Sequence, residues 1–343
     1  MGSHDTDRNE TSGLTITVLG CGTLGIAILS GILTSLHTPT DSTPTHPSSS
    51  GTSTPTLNPD PPSRLPSHFI ACVRRPESAK RVKTSLAKYV SQLTILQNDN
   101  VRGVRDADVV ILGCKPQMVS DVLRGASGNF DDPHALAVRD ALRGKLLISI
   151  LAGVPVPQIE EVLYGAPSDV DPTTEGRCRI VRVMPNTAAF IRESMTVIAT
   201  PSTPLPAPDA ALLTWIFSQI GRVVHLPASN MDASTALCGS GPAFFALVLE
   251  AIADGAVAMG LPRAEAQFMA AQAMKGAAGL VLEGEHPALV REKVSTPGGC
   301  TIGGLLVLEE GRVRGNVARA VREATVVAAQ LGKGVQGVNG TRF

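Results

Sequence analysis

Aromatic residues are scarce, 3% of a 343-residue chain, with one Trp, two Tyr and eight Phe. So few rings offer little surface on which nucleic-acid bases could stack. Net charge is missing too: 30 Lys and Arg balance 30 Asp and Glu. No overall field therefore draws the chain to nucleic acid or to anionic lipid. The six cysteines (Cys21, Cys72, Cys114, Cys178, Cys238 and Cys300) form no C-x-x-C pair. Standing singly in apolar or Gly-rich stretches, they read as structural free thiols of a reducing compartment, ahead of disulfides or a metal site. Residues 1–13 carry Asp5, Asp7 and Glu10 without an apolar run. Neither a secretory signal nor an acid-poor transit peptide is expected, and a cytoplasmic location is. The most apolar long stretch, 243–261, is interrupted by Glu250 and Asp254, which argues against a membrane span.

What is present is a large core and a pattern. Apolar residues make up 43% of the chain, and the length suggests two domains. Leu14–Leu19 is a β-branched apolar run, followed at once by Gly20-Cys21-Gly22-Thr23-Leu24-Gly25 and a helical pattern over 26–36. Strand, glycine-rich turn and helix in that order predict a dinucleotide site. The first glycine allows the tight turn, the second lets backbone approach a pyrophosphate, and the third permits close helix–strand packing. All six residues of the turn, Gly20 to Gly25, are therefore candidate cofactor contacts.

Residues 37–67 differ in kind: 22 of these 31 are Ser, Thr or Pro, which reads as a flexible surface insertion. Removing them from the 54 positions between Gly20 and Arg74 leaves 23. At about that distance a chain selecting NAD carries Asp or Glu for the ribose 2′-hydroxyl. Here Arg74 and Arg75 follow the strand at 68–73, and paired guanidinium groups suit a 2′-phosphate. NADPH is thus the expected cofactor, with NADH possible.

The αβ alternation continues. A helix is predicted over 77–89 and a strand over 93–96, before Asn98-Asp99-Asn100. A wholly apolar strand at 108–113 ends in Cys114-Lys115-Pro116-Gln117, and another at 146–151 is stopped by Ala152-Gly153. Strands at 179–183 and 196–200 flank Met184-Pro185-Asn186; a helix over 208–220 and a last strand over 221–226 follow. From 229 onward only helices are predicted, over 229–260, 263–282, 302–310 and 315–331. The run 243–249 is apolar on every helical face and must be enclosed. A second copy of the chain or a crowded monomer interior could enclose it; a homodimer, or a higher oligomer of dimers, is expected.

Between helices lies Lys293-Val294-Ser295-Thr296-Pro297-Gly298-Gly299-Cys300-Thr301-Ile302. Pro and two Gly before a helix can present successive N–H groups to a small carboxylate, and Thr296 and Thr301 add hydroxyls. A plain helix-capping turn has the same composition.

The motifs taken together resemble the pyrroline-5-carboxylate reductase family. They are the 20–25 turn, Cys114 to Gln117, Arg182 to Thr187, Leu237 to Phe244, Gly255 to Pro262 and Val294 to Leu305, in family order over most of 13–332. The chain departs from the family pattern at Thr296 and Cys300, and in the extra segments 37–67 and 165–177. The resemblance implies an α/β fold with an N-terminal Rossmann-type domain (13–227) and an all-α dimerisation domain (228–333). It implies reduction of 1-pyrroline-5-carboxylate to L-proline by hydride from NAD(P)H, without nucleic acid or membrane partners. The substrate loop would be Thr296, Gly298, Gly299, Cys300 and Thr301, with the Thr301 hydroxyl as catalytic group and the N–H groups of Gly299, Cys300 and Thr301 on the carboxylate. Cofactor contacts would add Arg74, Arg75, Asn100, Cys114, Lys115, Pro116, Ala152 and Gly153 to the glycine turn, with Ser240 shaping the nicotinamide pocket. Alternatives are a related imine or 3-hydroxy acid oxidoreductase, and a non-catalytic NADP(H) sensor. The absence of lysine from 229–260 counts against alcohol chemistry.

Overall fold

The computed structural model describes residues 13–38, 62–165 and 176–333. Its first half alternates: β1 (Leu14–Leu19), α1 (Thr23–His37), β2 (Pro66–Val73), α2 (Pro76–Ser85), β3 (Leu93–Gln97), α3 (Asn100–Arg105) and β4 (Val109–Leu112). Then come α4 (Val119–Arg124), α5 (Pro133–Leu142), β5 (Leu146–Ser149), α6 (Val156–Tyr164), β6 (Arg179–Met184), β7 (Ser194–Thr200), α7 (Ala207–Ser218) and β8 (Gly221–Pro227). The rest is helical: α8 (Met231–Ser234), α9 (Gly241–Ala258), α10 (Arg263–Leu282), α11 (Pro287–Lys293), α12 (Cys300–Glu310) and α13 (Val313–Gly332).

The eight strands form one sheet in the order β3-β2-β1-β4-β5-β6-β7-β8, parallel except where β7 runs against β6. β4 and β5 are buried at every position, as strands covered on both faces must be. One face packs Ile16, Val18, Ile111, Ile148 and Val183 under α1 and α7; the other packs Leu19, Leu112, Leu147 and Ile180 under α3 to α6. The chain order reverses between β1 and β4, and at such a switch point the carboxyl edge opens a crevice for ligands.

Several expectations are corrected. The predicted 77–89 helix stops at Ser85 and continues as a 3-10 turn over Ala87–Gln92, because Leu86 turns into the core and the Tyr89 hydroxyl meets Thr34 of α1 at 3.0 Å. The insertion is narrower than 37–67: His37 completes α1 and Pro66 opens β2. Its stretch 39–61, and 166–175 of the other extra segment, lie outside the described residues. Helices α3 to α6 and α11, short and weakly patterned, were not foreseen. Cys300 is exposed and Cys114 and Cys238 half-buried, although all six cysteines are free.

The helix expected over 229–260 is broken. It begins as a 3-10 turn at Ala228–Asn230, passes through α8 and a π-helical turn at Thr235–Gly239, and restarts as α9. Pro242 explains the restart: it has no N–H for the carbonyl four residues back and its ring would clash there. By length and composition alone, Ala228–Ala258 is apolar enough to cross a membrane, a test that core helices also pass. Its first residues are nevertheless docked on the sheet, where Met231 packs with Met184 and Val197.

Candidate active site

The predicted cofactor residues line up along the carboxyl edge of the sheet. Asn100 follows β3, Arg74 and Arg75 follow β2, and the glycine turn follows β1. Cys114, Lys115 and Pro116 follow β4, and Ala152 and Gly153 follow β5.

Within the turn the three glycines hold three different positions. Gly20 has φ +76, and a Cβ on it would stand 2.7 Å from the Cys114 backbone, so only glycine lets the ends of β1 and β4 approach so closely. Gly22 faces open space, with only the Gly20 carbonyl within 4 Å of a hypothetical Cβ. A Cβ on Gly25 would press on Val18 at 3.0 Å and on the Cys21 thiol at 3.2 Å, so that glycine seats α1 on β1. Gly20 and Cys21 donate to the Cys72 carbonyl at 3.1 and 3.0 Å, fixing the turn against β2. No side chain caps α1 at Gly22, which leaves its first N–H groups to an anion.

Arg74 and Arg75 are exposed, and among the described residues neither guanidinium has an ion-pair partner. Lys115 is exposed beside them in the edge order, across β1. Asn100 is tied by a long bond to the Val122 carbonyl, 3.5 Å. Burial pushes the thiols of Cys21, Cys72 and Cys114 up to about 12, so this edge offers no thiolate at neutral pH. Gly153 departs from expectation: with φ +74, it faces the end of α13, and a Cβ there would stand 2.9 Å from the Ala328 carbonyl. Its missing side chain seats a helix as well as bordering the cofactor edge.

Ser240 is the N-cap of α9, half-buried, and its N–H donates to the Thr235 carbonyl at 3.1 Å. Two groups of the 182–187 motif to which the sequence assigned no role fix this turn. Asn186, at the end of β6, donates through Nδ2 to the Cys238 carbonyl at 3.0 Å. That is the acceptor Pro242 leaves without its helical donor. Arg182, four residues earlier and within β6, pairs with Asp232 of α8 at 3.1 Å. The only sequence signal was the Cys-Gly-Ser-Gly-Pro string, which announces a break and so an orphan carbonyl.

The Thr296–Thr301 loop is built as a tight turn before α12. Gly298 takes φ +67, and Gly299 caps the helix without a side-chain bond. The Gly299 N–H donates to the Thr296 carbonyl at 3.0 Å. This corrects its expected role, since that donor closes the turn and only the N–H groups of Cys300 and Thr301 remain. Thr301 is half-buried; Thr296 is exposed and lines a groove of about 490 Å³ together with Arg291, Ser295, Ile302 and Leu306, a groove that Thr301 does not line. Within one chain α12 packs chiefly on α13, and α13 on α8 and the π-helical turn. The loop and the glycine turn therefore belong to different parts of the molecule, with α13 packed between α12 and the segment that leaves the sheet.

Known proteins sharpen this picture. A family model described as pyrroline-5-carboxylate reductase dimerisation matches residues 228–331, and one described as NADP oxidoreductase coenzyme F420-dependent matches 56–153. A pyrroline-5-carboxylate reductase of Lophium arboricola is 64% identical over 337 residues, covering 97% of this chain and 98% of the relative. That of Neurospora crassa is 57% identical over 343 residues, with the same coverage. Among solved structures, the Plasmodium falciparum pyrroline carboxylate reductase with NADP bound superposes with a TM-score of 0.69 at 22% identity, over 93% of this chain and 98% of that one. At that identity the likeness speaks for the fold.

Proposed function

We infer the reaction from a firm premise: the chain belongs to the pyrroline-5-carboxylate reductase family. It is an NAD(P)H-dependent oxidoreductase of proline biosynthesis and reduces 1-pyrroline-5-carboxylate to L-proline. The observation that carries this reading is identity above 55% along nearly the whole of both chains, with each glycine of the turn in the role a dinucleotide requires.

NADPH fits the carboxyl edge. The open backbone at Gly22 and the uncapped start of α1 would take the pyrophosphate, and Arg74 and Arg75 the 2′-phosphate. When bound, the cofactor supplies the hydride that adds to the imine carbon of the ring. The imine nitrogen keeps the proton that makes that carbon electrophilic, so little is asked of a side-chain acid. The chain's contribution is position. The Thr296 hydroxyl and the N–H groups of Cys300 and Thr301 would hold the substrate carboxylate, with Gly298 allowing the turn. The Thr301 hydroxyl would bond the ring nitrogen, and Ser240 would border the nicotinamide.

The cofactor edge and this loop would meet only when a second copy packs on the first, a homodimer or an oligomer of dimers. Support comes from the loop's attachment to α13 and from apolar side chains left exposed along α9 to α12. The domain boundary is best placed between Pro227, which ends β8, and Ala228. The six free thiols suit a cytoplasmic location. Loss of NADPH absorbance in the presence of 1-pyrroline-5-carboxylate, with proline identified as product, tests the whole. Thr301→Ala should lower kcat about a hundredfold while NADPH still binds. A native rate in that variant removes Thr301 from the chemistry.

A further inference from the structure

Arg182 is 6% exposed, on a strand whose neighbours are Val181 and Val183. A buried guanidinium is seldom the most stable filling for such a place, because its desolvation offsets the attraction to its partner, here Asp232, whose side chain stays 35% exposed. Here the account is poorer still. The guanidinium reaches Asp232 through Nη2, but its buried Nε has no partner. Ser149, its register neighbour on β5, likewise keeps a buried hydroxyl unpaired. Two apolar side chains would fill the space at lower cost. What they would lack is direction.

Direction matters at this place. Asp232 begins the segment that runs through the π-helical turn to Ser240 and α9. The turn is held to the sheet at two points, the Arg182–Asp232 pair and the Asn186 bond to the Cys238 carbonyl. Around them Met184 and Met231 pack among Val197, Ala199, Val224 and Leu226, and the two thioether side chains adapt to many arrangements. Helical turns with an extra residue are unstable unless held, and they gather at functional sites.

We propose that Arg182 is a positioning residue for the reaction: through Asp232, and with Asn186, it sets where Ser240 and the first turn of α9 stand over the carboxyl edge of the sheet. This rests on the reductase reading above. Arg182 touches neither substrate nor cofactor; it acts through the turn.

The test uses the full-length protein in its native assembly, with Arg182→Met, Asp232→Leu, the double variant and Arg182→Lys. Asp232→Leu leaves the buried Arg182 guanidinium without its partner and should lose both thermal stability and kcat; Arg182→Met leaves a carboxylate that is 35% exposed, so it should lose kcat with a smaller loss of stability. The double variant should regain stability, since no charge is left unpaired. Its kcat should nevertheless stay at least tenfold below the native value, with KM for NADPH within twofold. The deuterium isotope effect from NADPH labelled at the transferred position should rise in the double variant, and backbone deuterium exchange over 235–241 should quicken. Arg182→Lys should recover part of kcat. A double variant that regains native kcat along with its stability would overturn the proposal, as would single variants with native kcat. If the native protein reduces no pyrroline carboxylate, the reductase reading fails, and exchange over 235–241 still decides about Arg182: no difference between native and double variant rejects it.

Discussion

The two parts of the molecule use the same apolar residue types in opposite ways. In the sheet and its flanking helices, the large side chains lie inside, with Phe69, Phe217, Ile28 and Leu112 fully buried. In the helices after Ala228, the separate buried cluster is three alanines, Ala253, Ala266 and Ala270. Of 26 exposed large apolar residues among the described ones, 21 lie between Leu237 and Leu331. Leu247 is 67% exposed, Phe268 73% and Met259 86%. A folded chain rarely leaves so much apolar surface to water. The first part folds around its own core, whereas the second has the sequence of a core and only half of the walls.

Mutation should separate the two parts, with the largest effect in the second. Leu247→Glu places a carboxylate on the exposed face of α9, where a symmetric partner would bury it twice. Light scattering should show monomers, and activity should fall more than a hundredfold while the sheet's circular dichroism persists. A dimeric, active Leu247→Glu would break the comparison, because the face would then be solvent surface. Next in size is Gly20→Val, a local failure of the self-sufficient part. The side chain would meet the Cys114 backbone at a positive φ, costing about 1–3 kcal/mol in backbone strain alone. Its unfolding midpoint should fall and NADPH binding should be lost, while the oligomer, which this turn does not build, survives.

The same contrast governs what the sequence could reveal. The sheet was legible strand by strand, because buried parallel strands are short apolar runs ending in glycine or proline. The glycine turn was legible down to the tight turn at Gly20 and the helix packing at Gly25. Helices α3 to α6 were not, since six to ten residues of mixed polarity carry no clear period. The 229–260 break was visible in Pro242 but hidden by the surrounding hydrophobicity. Asn186 and Arg182 stood in the 182–187 motif without a role, because their partners, Cys238 and Asp232, are some fifty positions away in sequence. The free donors of the 296–301 loop could be guessed only as a group. Only the fold shows that the Gly299 N–H is already committed to Thr296.

A smaller effect lies at the exposed rim of the first part. Arg74→Ala with Arg75→Ala removes two unpaired guanidinium groups and should lower the preference for NADPH over NADH at least tenfold, with little change in kcat on NADH. The pair touches no core residue, so the melting temperature should hardly move. If NADPH preference survives, Lys115 across β1 becomes the next candidate for the 2′-phosphate.

The smallest expected effect on catalysis separates the two parts most sharply by chemistry. Cys21, Cys72 and Cys114 are pushed up to about 12 by burial, so at pH 8 their thiolate fraction is about a thousandfold below that of an ordinary cysteine. Raising the pH to 9 leaves them protonated, and iodoacetamide should not reach them in the folded protein. Cys300 is exposed at the start of α12, and it should be alkylated first. Mass spectrometry of partly labelled protein checks the order. Cys300→Ala should keep kcat within twofold, because the loop offers the backbone N–H at that position and not the thiol. Alkylation of Cys300, by contrast, adds bulk beside Thr301 and should slow turnover. Slower labelling in the dimer than in the Leu247→Glu monomer would tie this thiol, and the loop that carries it, to the surface the second copy covers.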